Sequence, residues 1–169
     1  GNANGLTRTL TIPDDVVIEA VELKLNATTT YVGDLNVTLR SPDGTESILA
    51  ATRSDPTDNF TDTVFTSRRH WGERAMGTWT VTISDPVPGD PAVWQSARLT
   101  AYGYCPSDVN LDGVTDVLDL LDFIDSFSNC VGVRAPCFGI GPAAADYNRD
   151  QLVDVLDMLD MLEDFGNGC

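Results

Sequence analysis

Ten oxygen-bearing side chains stand in two matching registers near the end of the chain: Asp108, Asn110, Asp112, Asp116 and Asp119, then Asp146, Asn148, Asp150, Asp154 and Asp157. Within each set they occupy positions 1, 3, 5, 9 and 12 of a twelve-residue loop. A hard divalent cation needs six to eight oxygens at about 2.4 Å, and a tight loop supplies them from alternate residues, the seventh giving its backbone carbonyl. Val114 and Leu152 hold that seventh position. The chemistry expected is the binding of two calcium ions. Position 6 must turn with positive φ, which suits Gly113 and not Gln151, so the second site is expected to be strained or weaker.

The two loops belong to an internal duplication. Residues 108–127 and 146–165 align at an offset of 38, with ten of twenty positions identical, and the ligand spacing is that of an EF-hand loop ending in Asp. A merely solvated helix face would not repeat five oxygen positions in register. Each loop runs into a helix whose apolar residues, Val117, Leu120, Leu121, Ile124 and Phe127 in one and Val155, Met158, Leu159 and Leu162 in the other, are expected to pack together beneath the loops. Asp122, Asp125 and Asp160 fall outside the ligand register and read as surface charges.

The chain has 169 residues, 26 acids against 10 Lys or Arg, and a formal net charge of -16. Residues 105–169 hold 13 of the acids and only Arg134 and Arg149 as bases. Such a balance excludes nucleic acid, whose phosphates demand cations, and docking on anionic lipid. No apolar run approaches the roughly 18 residues of a membrane span, and no signal peptide opens the chain. A start at Gly suggests a processed chain. Cys105, Cys130, Cys137 and Cys169 flank the acidic motifs and read as two disulfides in an oxidising compartment, placing the protein outside the cell or at its surface. Cys105 with Cys169 and Cys130 with Cys137 is one pairing; Cys105 with Cys130 and Cys137 with Cys169 competes with it. Irregular spacing and the distance of His70 disfavour zinc.

Residues 1–104 differ from residues 105–169. Period-2 alternation at Val21, Leu23, Leu25 and Ala27, at Leu35, Val37 and Leu39, at Trp79, Val81 and Ile83, and at Ala97, Leu99 and Ala101 predicts half-buried antiparallel strands. Turn clusters at Ser41–Gly44, Asp85-Pro86 and Pro88–Asp90 separate them, which suggests a β-sandwich. His70, the only histidine, lacks a nucleophile elbow or a Cys partner and reads as a loop residue beside a packed Trp71. No catalytic activity is expected. Asn26, Asn36 and Asn59 each open an N-glycosylation sequon.

Four ordered segments, Thr30–Leu35, Ser41–Thr45, Trp71–Glu73 and Gly77–Asp85, make residues 1–104 resemble the P domain of proprotein convertases. The resemblance implies a jelly-roll β-sandwich, a non-catalytic module that follows and stabilises a subtilisin-like protease domain. That family begins with a further strand carrying an Ile-Pro-Asp turn, and this chain is expected to start close to the strand after it, leaving a sheet edge open. Residues 105–169 resemble a type I dockerin, which implies that calcium folds the module and that loop positions 10 and 11 contact a cohesin. Those positions are Val117, Leu118, Val155 and Leu156 instead of the Ser-Thr pair of that family, so an apolar protein contact is expected.

The fold expected is therefore mainly β, a jelly-roll sandwich with a small α-helical C-terminal module of two EF-hand-like calcium loops. Three functions compete. The favoured one is a secreted, calcium-binding assembly subunit of a fibre or surface layer, built by head-to-tail contacts with copies of itself or docked on a cohesin-like receptor. The alternative is the C-terminal accessory and docking region of a subtilisin-like serine protease. A calcium-dependent carbohydrate-binding module is the third, weakened because Trp71, Trp79 and Trp94 read as packing residues.

Overall fold

The computed structural model describes residues 4–87, 92–132, 145–148 and 150–167. It divides into two compact units, Gly1–Gly103 and Tyr104–Cys169. The turn cluster at Pro88–Asp90 and two of the cysteines, Cys137 and Cys169, lie outside the described residues.

The first unit is built from seven strands: β1 (Leu6–Ile12), β2 (Val17–Thr28), β3 (Asn36–Arg40), β4 (Glu46–Ala50), β5 (Phe60–Ser67), β6 (Gly77–Ser84) and β7 (Val93–Tyr104). They form two antiparallel sheets in the orders β1-β6-β3-β4 and β5-β2-β7. Alternation decides which side chains face inward. Val21, Leu23, Leu25, Leu35, Val37, Leu39, Trp79 and Val81 have no solvent exposure, and Ala97, Leu99 and Ala101 pack against them from β7. At one edge the two sheets are tied by a buried hydrogen bond of 2.7 Å between the hydroxyls of Ser47 and Ser67.

The expected missing strand is present. β1 pairs with β6 along seven residues, from Leu6 opposite Ile83 to Ile12 opposite Gly77, and the Ile12-Pro13-Asp14 turn follows it. The signal was in the sequence, because Leu6, Leu10 and Ile12 alternate with Thr and end at a Pro that cannot extend a central strand.

Close backbone approach fixes two glycines. A Cβ on Gly33 would lie 2.2 Å from the Arg53 carbonyl oxygen, and one on Gly103 would lie 1.9 Å from the Val17 carbonyl oxygen. Only glycine lets these chain segments meet.

Beneath the turn that follows β5, His70 is fully buried and Trp71 is not. The imidazole stands edge-on to Trp79 with ring centroids 4.9 Å apart, while Trp71 is 63% exposed. This corrects the expectation of an ordinary loop histidine beside a packed Trp71; the packed indole is Trp79, which donates from Nε1 to the Ala75 carbonyl at 2.9 Å. Nδ1 of His70 lies 3.6 Å from Oε2 of Glu73, beyond hydrogen-bond reach, and neither ring nitrogen has a hydrogen-bond partner. Burial pushes the imidazole pKa below its ordinary 6.5, opposed by the charge of Glu73 and assisted by that of Arg69.

Two outcomes are expected. Gly103→Ala should destabilise the sandwich by about 2–3 kcal/mol, since the clash is with backbone; urea unfolding measures it. Because the folded pKa of His70 is depressed, the unfolded chain takes up this proton first as the pH falls below 6.5. Stability should therefore decline in that window, and His70→Phe should flatten the decline in midpoints measured from pH 7.5 to 5.

Candidate metal centre

The second unit contains α1 (Val117–Cys130) and α2 (Val155–Asn167). Phe123 and Met161 are fully buried with Val109, and Leu120, Phe127, Tyr147, Met158 and Phe165 close around them. Phe123 meets Tyr147 edge-on at 5.9 Å. The core uses a narrower stripe of each helix than expected. Val117, Leu121 and Ile124 of α1 and Val155, Leu159 and Leu162 of α2 are all 42–62% exposed.

The two acidic loops share six hydrogen bonds at matching positions. At position 12, the carboxylates of Asp119 and Asp157 have no solvent exposure. Oδ1 of each accepts from the N–H of position 3, Asn110 or Asn148, at 3.1 Å, and Oδ2 accepts from the N–H of position 9, Asp116 or Asp154, at 2.8 Å. The position-3 amide oxygens accept from the position-5 N–H groups at 2.9 Å. Gly113 and Gln151 donate to position 1, Asp108 or Asp146, at 2.9 and 3.0 Å. Val114 and Leu152 donate to Asp112 and Asp150, and the side chains of Asp116 and Asp154 accept from Leu118 and Leu156 at the start of each helix. Asp116 and Asp119 thereby form a capping box for α1, a local reason why the helix begins there.

The donor set is all oxygen, as a hard cation requires. Most of these oxygens are turned toward backbone N–H groups, and among the described residues no three Asp, Glu, His or Cys side chains converge as a metal cluster. The loops differ at position 1. Oδ1 of Asp108 accepts from Asp112 at 3.1 Å, whereas Oδ1 of Asp146 is buried without a hydrogen-bond partner. A bound cation would satisfy that oxygen. Gln151 adopts φ +74°, matching Gly113 at +87°. A side chain there costs roughly 1 kcal/mol.

Cys105 and Cys130 are both disulfide-bonded, while either pairing scheme involves cysteines outside the described residues. Asp122, Asp125 and Asp160 are exposed. Of the sequon residues, Asn26 is half-buried with its Nδ2 bonded to Asp62 and Ser96, Asn36 is half-buried beside Thr52, and Asn59 is exposed. Val117, Leu118, Val155 and Leu156 are 50–62% exposed. The exposed apolar set is wider than these four: Val114, Leu121 and Ile124 match Leu152, Leu159 and Leu162 at the same offset of 38. The i, i+3, i+4, i+7 spacing of these residues was legible, but their outward direction was not.

A two-sheet sandwich whose buried polar groups serve packing defines the first unit as a folded β module, joined to a smaller helical one. Residues 18–101 of the first unit match the family model of the proprotein convertase P-domain. The sequence is 36% identical over 84 residues to neuroendocrine convertase 2 of Sus scrofa, covering 46% of this chain and 13% of that one. It is 34% identical over 100 residues to human proprotein convertase subtilisin/kexin type 7, covering 56% of this chain and 12% of that one. The chain thus spans about an eighth of these relatives. The serine protease of Aeromonas sobria, crystallised with its chaperone, is similar in structure at 22% identity and TM-score 0.45, over 57% of this chain and 20% of that one.

These relatives overturn the expectation of a fibre or surface-layer subunit, since the matched sequences are convertases and not assembly proteins. They favour the alternative of a protease accessory region. Among the described residues no helix is long and apolar enough to cross a membrane.

Gln151→Gly should raise the stability of the helical unit by about 1 kcal/mol, whereas Gly113→Gln should lower it by a similar amount. Far-ultraviolet circular dichroism during thermal unfolding reads both, since α1 and α2 carry the helical signal.

Proposed function

We propose that the chain is a non-catalytic, extracellular accessory and docking region of a subtilisin-like serine protease. The observation that carries this reading is the P-domain match over residues 18–101, with convertases as relatives at 34–36% identity. The sandwich, a jelly-roll of the P-domain kind, stabilises a protease domain. The bonded state of Cys105 and Cys130 supports an oxidising location.

The second unit is the docking element, a dockerin-like module held by two calcium ions. One ion takes Asp108, Asn110, Asp112, Asp116 and Asp119 with the carbonyl of Val114; the other takes Asp146, Asn148, Asp150, Asp154 and Asp157 with the carbonyl of Leu152. Supporting this are the six hydrogen bonds repeated in both loops and the unpartnered Oδ1 of Asp146. Calcium's role is structural: it compensates carboxylates that otherwise repel, so the helices can pack. The partner is a cohesin-like receptor that meets the exposed apolar pairs Val117-Leu118 and Val155-Leu156.

Two measurements test the two halves of this reading. The open reading frame around the chain should encode an Asp-His-Ser subtilisin-like domain, and its absence would overturn the protease assignment. In calorimetry, EDTA should lower the unfolding transition of the helical unit and leave that of the sandwich unchanged. A thermogram identical in millimolar calcium and in EDTA would sink the calcium assignment.

A further inference from the structure

Trp71 is the one tryptophan on the surface of the sandwich, and the fold spends many hydrogen bonds on holding its turn. The N–H of Gly72 donates to the Ile18 carbonyl at 2.8 Å, Ile18 donates back to Glu73 at 2.9 Å, and Ala75 donates to Val16 at 2.9 Å. Within the turn, Trp71 donates to Arg68 at 3.3 Å and Glu73 to His70 at 3.1 Å. Gly72 takes φ +81°, which reverses the chain directly after the indole. The preceding residue, His70, is fully buried edge-on to Trp79. A large apolar side chain on a rigid seat loses little freedom on binding, the property of an interface anchor. Packing within the sandwich does not require it, because 63% of Trp71 faces solvent; Met76, five residues on, is 54% exposed.

The surrounding segment is richer in positive charge than the chain as a whole. In a chain of net charge -16, residues 68–74 hold Arg68, Arg69 and Arg74, three of the nine arginines. Arg74 is paired with Asp15 at 3.1 Å. Arg68 and Arg69 are exposed and form no ion pair among the described residues. Arg69 instead donates from Nε to the Glu46 carbonyl at 2.7 Å, and with Glu46 and the 69%-exposed Ile48 it lines a shallow depression of about 470 Å³. An exposed indole, two and three residues along the chain from two exposed arginines that form no ion pair among the described residues, fits an apolar socket with carboxylates at its rim.

We propose that Trp71, flanked by Arg68 and Arg69, is the anchor through which the sandwich seats on a subtilisin-like protease domain. This rests on the accessory role proposed above, and it names the surface and the chemistry of the partner.

The test uses the full chain and the catalytic domain encoded in the same reading frame, inactivated at its nucleophile and expressed separately. Trp71→Ala should weaken binding roughly 30-fold or more, the scale of an anchor residue. Arg68→Glu with Arg69→Glu should slow association and flatten its salt dependence. Trp71→Ala should keep the thermal midpoint of the sandwich, because its side chain is mostly exposed, and the arginine variant should lower it only by the loss of the exposed Arg69 bond to the Glu46 carbonyl. If the catalytic domain binds the parent chain and both variants equally, the anchor is elsewhere while the accessory role stands. If the frame encodes no such domain, both readings fall. Trp71-dependent retention on a glycan array, without Trp71-dependent protease binding, would also overturn the proposal and assign the indole to a sugar.

Discussion

Negative charge is the constraint that the helical unit must meet. Thirteen acids crowd residues 105–169, two of them, Asp119 and Asp157, wholly buried. An ionised carboxylate taken out of water is costly unless its oxygens are hydrogen-bonded. Each of these receives two backbone N–H groups, from loop positions 3 and 9. The same bonds fix the loop path and set the start of the following helix, where the positive end of the helix dipole further favours an anion. Loop shape, helix start and the small core around Phe123 and Met161 are therefore coupled. Loosening one buried aspartate would free all three.

The sandwich solves a different problem. Its core is apolar and continuous, from Ile18 through Leu25 to Trp79 and Val81, and among its described ionisable side chains only Asp85 and His70 are buried. His70 is the deeper of the two. A fully buried imidazole with no hydrogen-bond partner is a cost that packing against Trp79 must offset. What that arrangement provides is a firm floor beneath the Trp71 turn. Buried His70 and exposed Trp71, adjacent in sequence, thus have opposite fates because the chain reverses at Gly72.

Much of the fold was legible because strand alternation has a period of two and burial follows it directly. Val21, Leu23 and Leu25 were placed inward by that rule alone, and they are inward. The repeat of the acidic registers was legible for a similar reason, since five oxygen side chains recur at the same spacing 38 residues apart. What could not be read was the direction of residues whose apolar character does not decide their burial. Helix periodicity marks a stripe, yet α1 is apolar over more of its circumference than its single small core can cover. Leu120 and Phe127 turn in, while Val117 and Leu121 turn out. Likewise an HisTrp pair in a loop gives no hint of which ring is covered. The edge strand β1 was missed although its Ile12-Pro13-Asp14 ending was in view, because its Thr-rich outer face gives weak apolar contrast.

The outward apolar residues of the helical unit are harder to explain by folding than its buried ones. Both copies place Val or Leu at loop positions 7, 10 and 11, and Leu or Ile at the two following outward turns, all exposed. Stability of the unit does not depend on these side chains, because they contribute little to its core. A contiguous exposed apolar surface also lowers solubility, a cost that an acidic chain only partly offsets through charge repulsion. Position 6 tolerates Gly in one copy and a left-handed Gln in the other, so the duplication permits difference where the backbone alone must bend. Sameness on the outer face and difference inside the loop are what a contact with another protein would require, and this supports the docking role proposed for the module. In that proposal the acidic loops and the apolar faces act together, the first setting where each helix starts and the second using the outer sides of those helices.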